Sequence, residues 1–327
     1  METLSAEIDA SPFGLLDTYP EMCFPTDVIA ALAMIRRADA VLGTDHSEIV
    51  ERARRGFRRD LVDGYGLPPW SADPRKGVML RPSQGCGNSY ACLFSPELWP
   101  DLSAAWYATY EQHFWQRRLG AQGFREFPMV EGSPDWYLGV DAGPVMFGYG
   151  FAAGAFGVGA ARVNGRFDHA FPISAEMLAL SWPLPDGTLA LPRLLSNAAH
   201  APYLGECAIL FFLTRQPLDG VSADASDSLP PFVWIILGLC LLAGLLLILL
   251  AALKLRRARR LPERPLPAAR LQFSVWGFLT VGGLAVIFSW SPIVGFAMLL
   301  AAQVPPRGLS RRTGARNAVA SSAVPQA

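Results

Sequence analysis

The chain runs to 327 residues, more than one ordinary domain, and its 28 basic and 28 acidic side chains cancel to a formal charge of zero. The cancellation hides a split: residues 1–230 hold 17 Lys and Arg against 27 Asp and Glu, while residues 231–327 hold 11 against one. Because the basic part is also the hydrophobic part, its charge suits a membrane surface; the acidic part has no basic stripe to follow a phosphate backbone, which sets nucleic-acid binding aside.

Residues 1–25 form an N-terminal segment. The opening METLSAEIDASPFGLL has neither a basic leader region nor a long apolar one, so it does not read as a signal peptide. The main domain is expected over 26–216. Thr26 can cap a helix from Asp27, along which Ile29, Leu32, Ala33, Ile35 and Ala40 keep one apolar stripe until Gly43. After the turn Gly43-Thr44-Asp45-His46, a second helix runs from Ser47 to about Asp63 with an arginine-rich face. So short a connection predicts an αα-hairpin. A long polar loop from Gly64 leads to a short helix at about 90–94. Pro100-Asp101 then opens an amphipathic helix through Arg118, stopped by Gly120.

Asp141 and Pro144 look like another helix start. Residues 142–161 hold no charge and six glycines, with Gly150 and Gly154 spaced as a helix-contact pair; they predict an inner helix with close neighbours rather than a membrane span. Shorter helices fit 174–181 and 205–214, and strictly alternating β-branched runs are scarce. The fold class is therefore mainly α. Charged outer helices alternate with Gly/Ala-rich inner ones, as in stacked αα-hairpins of the (α/α)6-toroid type. A closed ring needs more helices than 26–216 supplies, so the toroid is expected to be incomplete, with further hairpins upstream.

Residues 217–231 form an acidic linker without Lys or Arg. From Phe232 to Leu253 lie 22 uncharged residues. They make about 33 Å of helix against a hydrocarbon core of roughly 30 Å, and so read as a transmembrane helix. A second hydrophobic stretch, 273–302, is interrupted by Pro292 and reads as one kinked, tilted span, ahead of the alternative of a span followed by a shorter interfacial piece. The loop between them, 254–272, carries Lys254, Arg256, Arg257, Arg259, Arg260, Arg264 and Arg270, which the positive-inside rule assigns to the cytoplasm. The N-terminal domain and the tail 303–327, read as disordered, then lie outside, although Arg307, Arg311, Arg312 and Arg316 in the tail argue the other way. The expectation is an integral protein of a bacterial inner or plasma membrane with an extracytoplasmic domain. The lipid bilayer is its expected partner, and the oligomeric state is left open.

Five cysteines (Cys23, Cys86, Cys92, Cys207 and Cys240) with no CxxC pair predict no disulfide scaffold, metal site or cofactor. Candidate chemistry sits in the long loops. Asp27 follows Phe24-Pro25 at a helix start, where its carboxylate either works as acid or base in a cavity or steadies the helix end. Tyr65 and Trp70 stand on the Pro/Gly-rigidified loop 64–70, which is either a ligand rim or a structural Ω-loop. In Gln84-Gly85-Cys86-Gly87-Asn88-Ser89 the glycines admit close backbone approach, and a helix N-terminus just after Cys86 would lower its thiol pKa. No His lies in that loop. A nucleophilic Cys86 would need one of His46, His113, His169 or His200 brought by the fold; the other reading is a buried inert thiol. Asn88 is a candidate substrate contact beside it. Glu131, Asp135, Trp136, Tyr137 and Asp141 form an acidic-aromatic cluster suited to general acid–base work, with Asp141 also suited to capping.

Four motifs, YPEMCFPTD (19–27), GYGLPPW (64–70), QGCGNS (84–89) and DAGPVMFGYG (141–150), together resemble the linalool dehydratase/isomerase-like family of α,α-toroid proteins over residues 19–215. The resemblance implies lyase or isomerase chemistry by acid–base groups on a small apolar substrate in a central cavity, with Asp27, Tyr65 and Cys86 at the matching positions. The sequence departs from the pattern in lacking a histidine in the cysteine loop. Two other readings stand beside it. In a glycan-active toroid, Trp70, Trp136 and Trp182 would stack on sugars while Glu131, Asp135 or Asp141 serve as acid and base. In a non-catalytic membrane component, the domain would dock a partner.

Overall fold

A computed structural model describes residues 2–183, 189–190, 204–224, 228–259, 267–289 and 292–303, and it is mainly helical with small sheets between the helices. The chain divides into a first unit, residues 1–181 with 190–238, and a second, residues 182–189 with 239–327.

Four helices of the first unit stand side by side in chain order: α2 (Pro25–Leu42), α4 (Gly85–Leu98), α6 (Phe151–Val163) and α8 (Leu204–Leu213). Composition explains the row. α2 buries Val28, Ile29, Leu32 and Ile35; α4 is buried along nearly its whole length; α6 is made largely of Gly and Ala. Small residues let the axes come close: a Cβ on Gly159 would meet Leu93 of α4 at 2.9 Å and Phe212 of α8 at 3.0 Å. Behind this row, α5 (Pro100–Phe114) packs on α4 and α7 (Phe167–Leu180) on α6. α1 (Glu2–Ala10) rests on α3 (Ser47–Arg59).

α3 buries Val50, Ala53 and Phe57 at helical spacing and turns its arginines outward, where Arg54 and Arg58 reach Asp101 at 2.7 and 2.5 Å. Phe57 meets Trp99 and Trp106 at ring-centroid distances of 5.6 and 6.1 Å. Burying such rings stabilises the fold by about 2 kcal/mol each. This also changes the expected αα-hairpin. The turn after Gly43 does join α2 to α3, but the chief neighbour of α2 is α4, and α3 is matched by α1 and the Trp pair.

Further differences from the sequence reading have local causes. The short helix at 90–94 is the middle of α4, which begins at Gly85 within the glycine motif. The helix from Pro100 ends at Phe114; residues Trp115–Arg118 (β3) turn through Leu119-Gly120 and pair with Ala121–Phe124 (β4). The uncharged run 142–161 is not one helix. Gly143 (φ 66) and Gly148 (φ 86) adopt left-handed conformations foreign to a helix interior. Residues 136–150 instead form a three-stranded sheet of β5 (Trp136–Gly139), β6 (Gly143–Met146) and β7 (Tyr149–Gly150), and α6 starts only at Phe151. Within the loop after α3, β1 (Ser71–Asp73) and β2 (Val78–Arg81) make another hairpin.

α9 (Pro231–Arg259) starts in the first unit and continues into the second. Its 23-residue stretch Pro231–Leu253 has a mean hydropathy of 3.0 and is, among the described residues, the one helix long and apolar enough to cross a membrane. The stretch 273–302 is not one kinked rod but two helices, α10 (Pro267–Ser289) and α11 (Pro292–Ala302), folded against each other. A Cβ on Gly283 would lie 3.0 Å from the Gly295 carbonyl oxygen and 3.2 Å from Leu299, which requires the chain to reverse. Pro292, with no amide hydrogen to give, begins the new helix. The tail 304–327, loop residues 260–266, His200 and the Trp182 side chain lie outside the described residues.

Candidate functional site

The N-terminal ends of α2, α4 and α6 gather at one end of the row. A Cβ on Gly87 would touch Trp70 at 3.0 Å and Thr26 of α2 at 3.7 Å, and one on Gly85 would meet Ala153 of α6 at 3.0 Å. Any charged group held there feels three helix ends at once.

Cys86 and Glu126 occupy that point. Gly85 N donates to the Glu126 carbonyl oxygen (2.8 Å), Cys86 N to Glu126 Oε2 (3.2 Å), and Cys86 Sγ to Glu126 Oε1 (2.9 Å). Glu126 thus answers the free donors of α4 from outside the helix. Only glycine fits around it. A Cβ on Gly85 would overlap the Arg125 carbonyl oxygen, and one on Gly150 would lie 2.7 Å from Glu126 Oε2. Both side chains are sealed: Glu126 is 0% and Cys86 2% exposed.

Burial drives the electrostatics. It pushes the Glu126 carboxyl up to about 7, with the bonds from Cys86 pulling it down and Asp141 adding a further push upward. Burial, followed by the charge of Glu126, lifts the Cys86 thiol well above its usual range. The lowered thiol pKa expected from the helix end is reversed, because burial outweighs the helix end and the Glu126 carboxylate held there adds to it. Near neutrality Cys86 keeps its proton while Glu126 divides between its two forms.

Around this pair stand Asp27, Tyr90 and Asp141. Asp27 lies in the first turn of α2, accessible to solvent yet with its pKa raised, first by desolvation and then by Asp141. Asp27 is thus a solvent-facing carboxylate with a second carboxylate, Asp141, near enough to oppose its charge. Tyr90 sits one helical turn beyond Cys86 on the same face of α4, its pKa raised by burial and by Asp27. Asp141 is exposed in the β5–β6 turn.

The other residues singled out from the sequence are distributed as follows. Trp70 lies 4.8 Å from the Phe24 ring and walls the end of α4. Tyr65 pairs with His113, ring centroids 4.5 Å apart. Its loop is organised by Asp63, whose carboxylate accepts from Tyr65 N (2.8 Å), Leu67 N (3.2 Å) and Ser83 N (3.0 Å). Asn88 is buried, donating to Gln84 O at 2.9 Å, and its Oδ1 has no partner among the described residues. Glu131 is exposed in the turn before β5, and Trp136 and Tyr137 lie on β5, 60% and 45% exposed. Asp135 is tied to Arg118 (2.5 Å) and Arg125 (3.3 Å).

Glu126 and Asp63 were not singled out from the sequence. A signal for Glu126 existed: Phe124-Arg125-Glu126-Phe127-Pro128 sets a carboxylate among aromatics, where it reads as buried. A second polar cluster was also missed. Buried His169 bonds Tyr107 OH at 3.0 Å, lies 3.2 Å from Glu111 and stacks on Trp115 at 4.0 Å. Burial lowers its pKa to about 4, so it stays neutral; Arg166 joins Glu111 and Asp168 beside it.

No protein-family model matches the chain, and no curated protein matches it.

Proposed function

We propose that the chain is a membrane-anchored α,α-toroid-type protein whose first unit carries out acid–base lyase or isomerase chemistry on a small apolar molecule. The observation that carries this reading is the gathering of Cys86, Glu126, Asp27 and Asp141 at the joined N-terminal ends of α2, α4 and α6. Elimination or isomerisation needs one group that gives a proton and another that takes one near neutral pH. Glu126, raised to about 7 and so partly protonated, suits the first role, with the Cys86 thiol at 2.9 Å as its relay; Asp27, an accessible carboxylate made more basic by desolvation, suits the second. Tyr90, on the Cys86 face, extends the wall.

The toroid relationship is supported by the row α2–α4–α6–α8, which puts every second helix inside, with α5 and α7 behind. Membrane anchoring is supported by Pro231–Leu253, and the α10–α11 pair is read as a short helical hairpin lodged in the same bilayer; α11 alone, at 11 residues, is about 16 Å long and too short to span. The basic loop after Leu253 favours the cytoplasm for its own side and the opposite side for the first unit. A glycan-active site draws less support, since Asp135 is held by two arginines and Trp136 stands on an outer strand face.

The test is turnover. Detergent-purified protein incubated with small allylic alcohols is expected to dehydrate or isomerise them, and Cys86→Ser and Glu126→Gln to abolish the reaction while the circular dichroism stays native. No change in allylic alcohols, with oligosaccharides cleaved instead, would transfer the site to the glycan reading; neither changed would leave a non-catalytic component.

A further inference from the structure

Among the described residues, nothing covers one face of strands β5 and β6. Side chains on a hairpin alternate between faces. On the inner face Val145 is buried and Tyr137 sets its ring 5.3 Å from Phe127. On the outer face Trp136 stands opposite Met146 and Leu138 opposite Pro144. Trp136 is 60%, Leu138 78% and Met146 41% exposed, Val140 at the tip is wholly exposed, and Phe147 lies 4.6 Å from Trp136. A contiguous face of this kind is one that water-facing hairpins avoid, and it marks a contact surface.

Its root says where it is. Asp135, just before β5, is gripped by Arg118; Arg118 N donates to Tyr149 OH (2.9 Å), and Tyr149 OH donates to Ala121 O (2.7 Å). The sheet is thereby fastened to the β3–β4 turn. That same turn holds the start of α9: Phe232 N donates to Gly120 O at 2.9 Å, and a Cβ on Gly120 would meet Pro231 at 3.3 Å. Leu119, at the tip of the turn, is 61% exposed and flanked by Arg117 and Arg118.

We infer that the outer face of the β5–β6 hairpin, with Trp136, Leu138, Val140 and Met146, and the Leu119 turn beside it, seat together in the interfacial layer of the bilayer next to the first turn of α9. The inference rests on the membrane reading of α9 and adds the surface of the first unit that meets lipid. Trp136 suits the headgroup layer, where indoles concentrate, and exposed Arg117 beside Leu119 suits lipid phosphates. Whatever is bonded to Gly120 sits at the depth where the apolar helix begins. The hairpin's turn carries Asp141, so the lipid-seated strands would also be the wall of the candidate site.

Full-length protein with the exposed Cys207 and Cys240 replaced by Ser is reconstituted into phosphatidylcholine–phosphatidylglycerol vesicles. Single cysteines, Leu138→Cys and Leu119→Cys, carry an environment-sensitive fluorophore, beside Val41→Cys (84% exposed in the structure) and Leu245→Cys within α9. Labels at 138 and 119 are expected to be quenched several-fold more strongly by headgroup-proximal spin-labelled lipid than the label at 41, and several-fold less by iodide. Iodide quenching at 138 equal to that at 41 would overturn the inference. So would shielding from both quenchers, which would assign the face to a second copy or another protein. Iodide quenching of the label at 245 equal to that at 41 would bring down the membrane reading itself, and it is read independently of the other positions.

Discussion

Glu126 shows how one buried carboxyl combines structure and reactivity. It closes the N-terminus of α4, and the burial that makes it a good cap also raises its pKa to about 7. A carboxyl raised in the fold contributes stability that is present in acid and lost as pH rises from about 4.5 through about 7. His169 acts in the opposite sense: lowered from 6.5 to about 4, its contribution is present above 6.5 and lost as pH falls toward 4. Thermal unfolding followed by far-ultraviolet circular dichroism should therefore show stability declining from pH 6.5 to 8, and Glu126→Gln should make that decline shallower, the remainder coming from Glu176, which burial also raises to about 7; an unchanged slope would mean an ordinary carboxyl at 126. Gly85→Ala tests the packing. Its Cβ would overlap backbone rather than a mobile side chain, so a loss of about 3 kcal/mol is expected in denaturant unfolding. A near-neutral result would show that the 125–126 segment yields.

Among elements, legibility followed the kind of force involved. α2 and α3 were readable because their boundaries and apolar stripes are local signals, and α3 closes on Val50, Ala53 and Phe57 at that spacing. The region 136–150 was not. Its glycines and Pro144 serve helix starts and hairpin turns equally well in sequence; only the pairing of Trp136 with Met146 and Tyr137 with Val145 decides between them. Cys86 was legible as a candidate from its glycine setting, whereas Glu126 reaches it across 40 positions, a distance no local pattern spans. The β5–β7 sheet depends on its charged root. Asp135→Asn removes the partner of Arg118 and Arg125, and limited proteolysis should cleave residues 139–143 faster than in the wild type, while the helical circular dichroism stays the same. Equal cleavage rates would show that backbone pairing alone holds the sheet.

For the whole molecule, the charge split and the position of α9 make one statement about sidedness. If the loop after Leu253 faces the cytoplasm, a Lys254→Cys variant lacking Cys207 and Cys240 should resist a membrane-impermeant maleimide applied to intact cells and react after permeabilisation. Immediate labelling would invert the topology and place the first unit inside. Stacked on Trp115 at 4.0 Å, His169 also gives the molecule an optical gauge. A protonated imidazole quenches a neighbouring indole, whereas a neutral one leaves it bright. Because burial holds His169 neutral down to about pH 4, the share of emission from Trp115 should stay level through mild acid and dim as the stacked imidazole takes its proton near pH 4, so a signal already inside the protein reports on that contact.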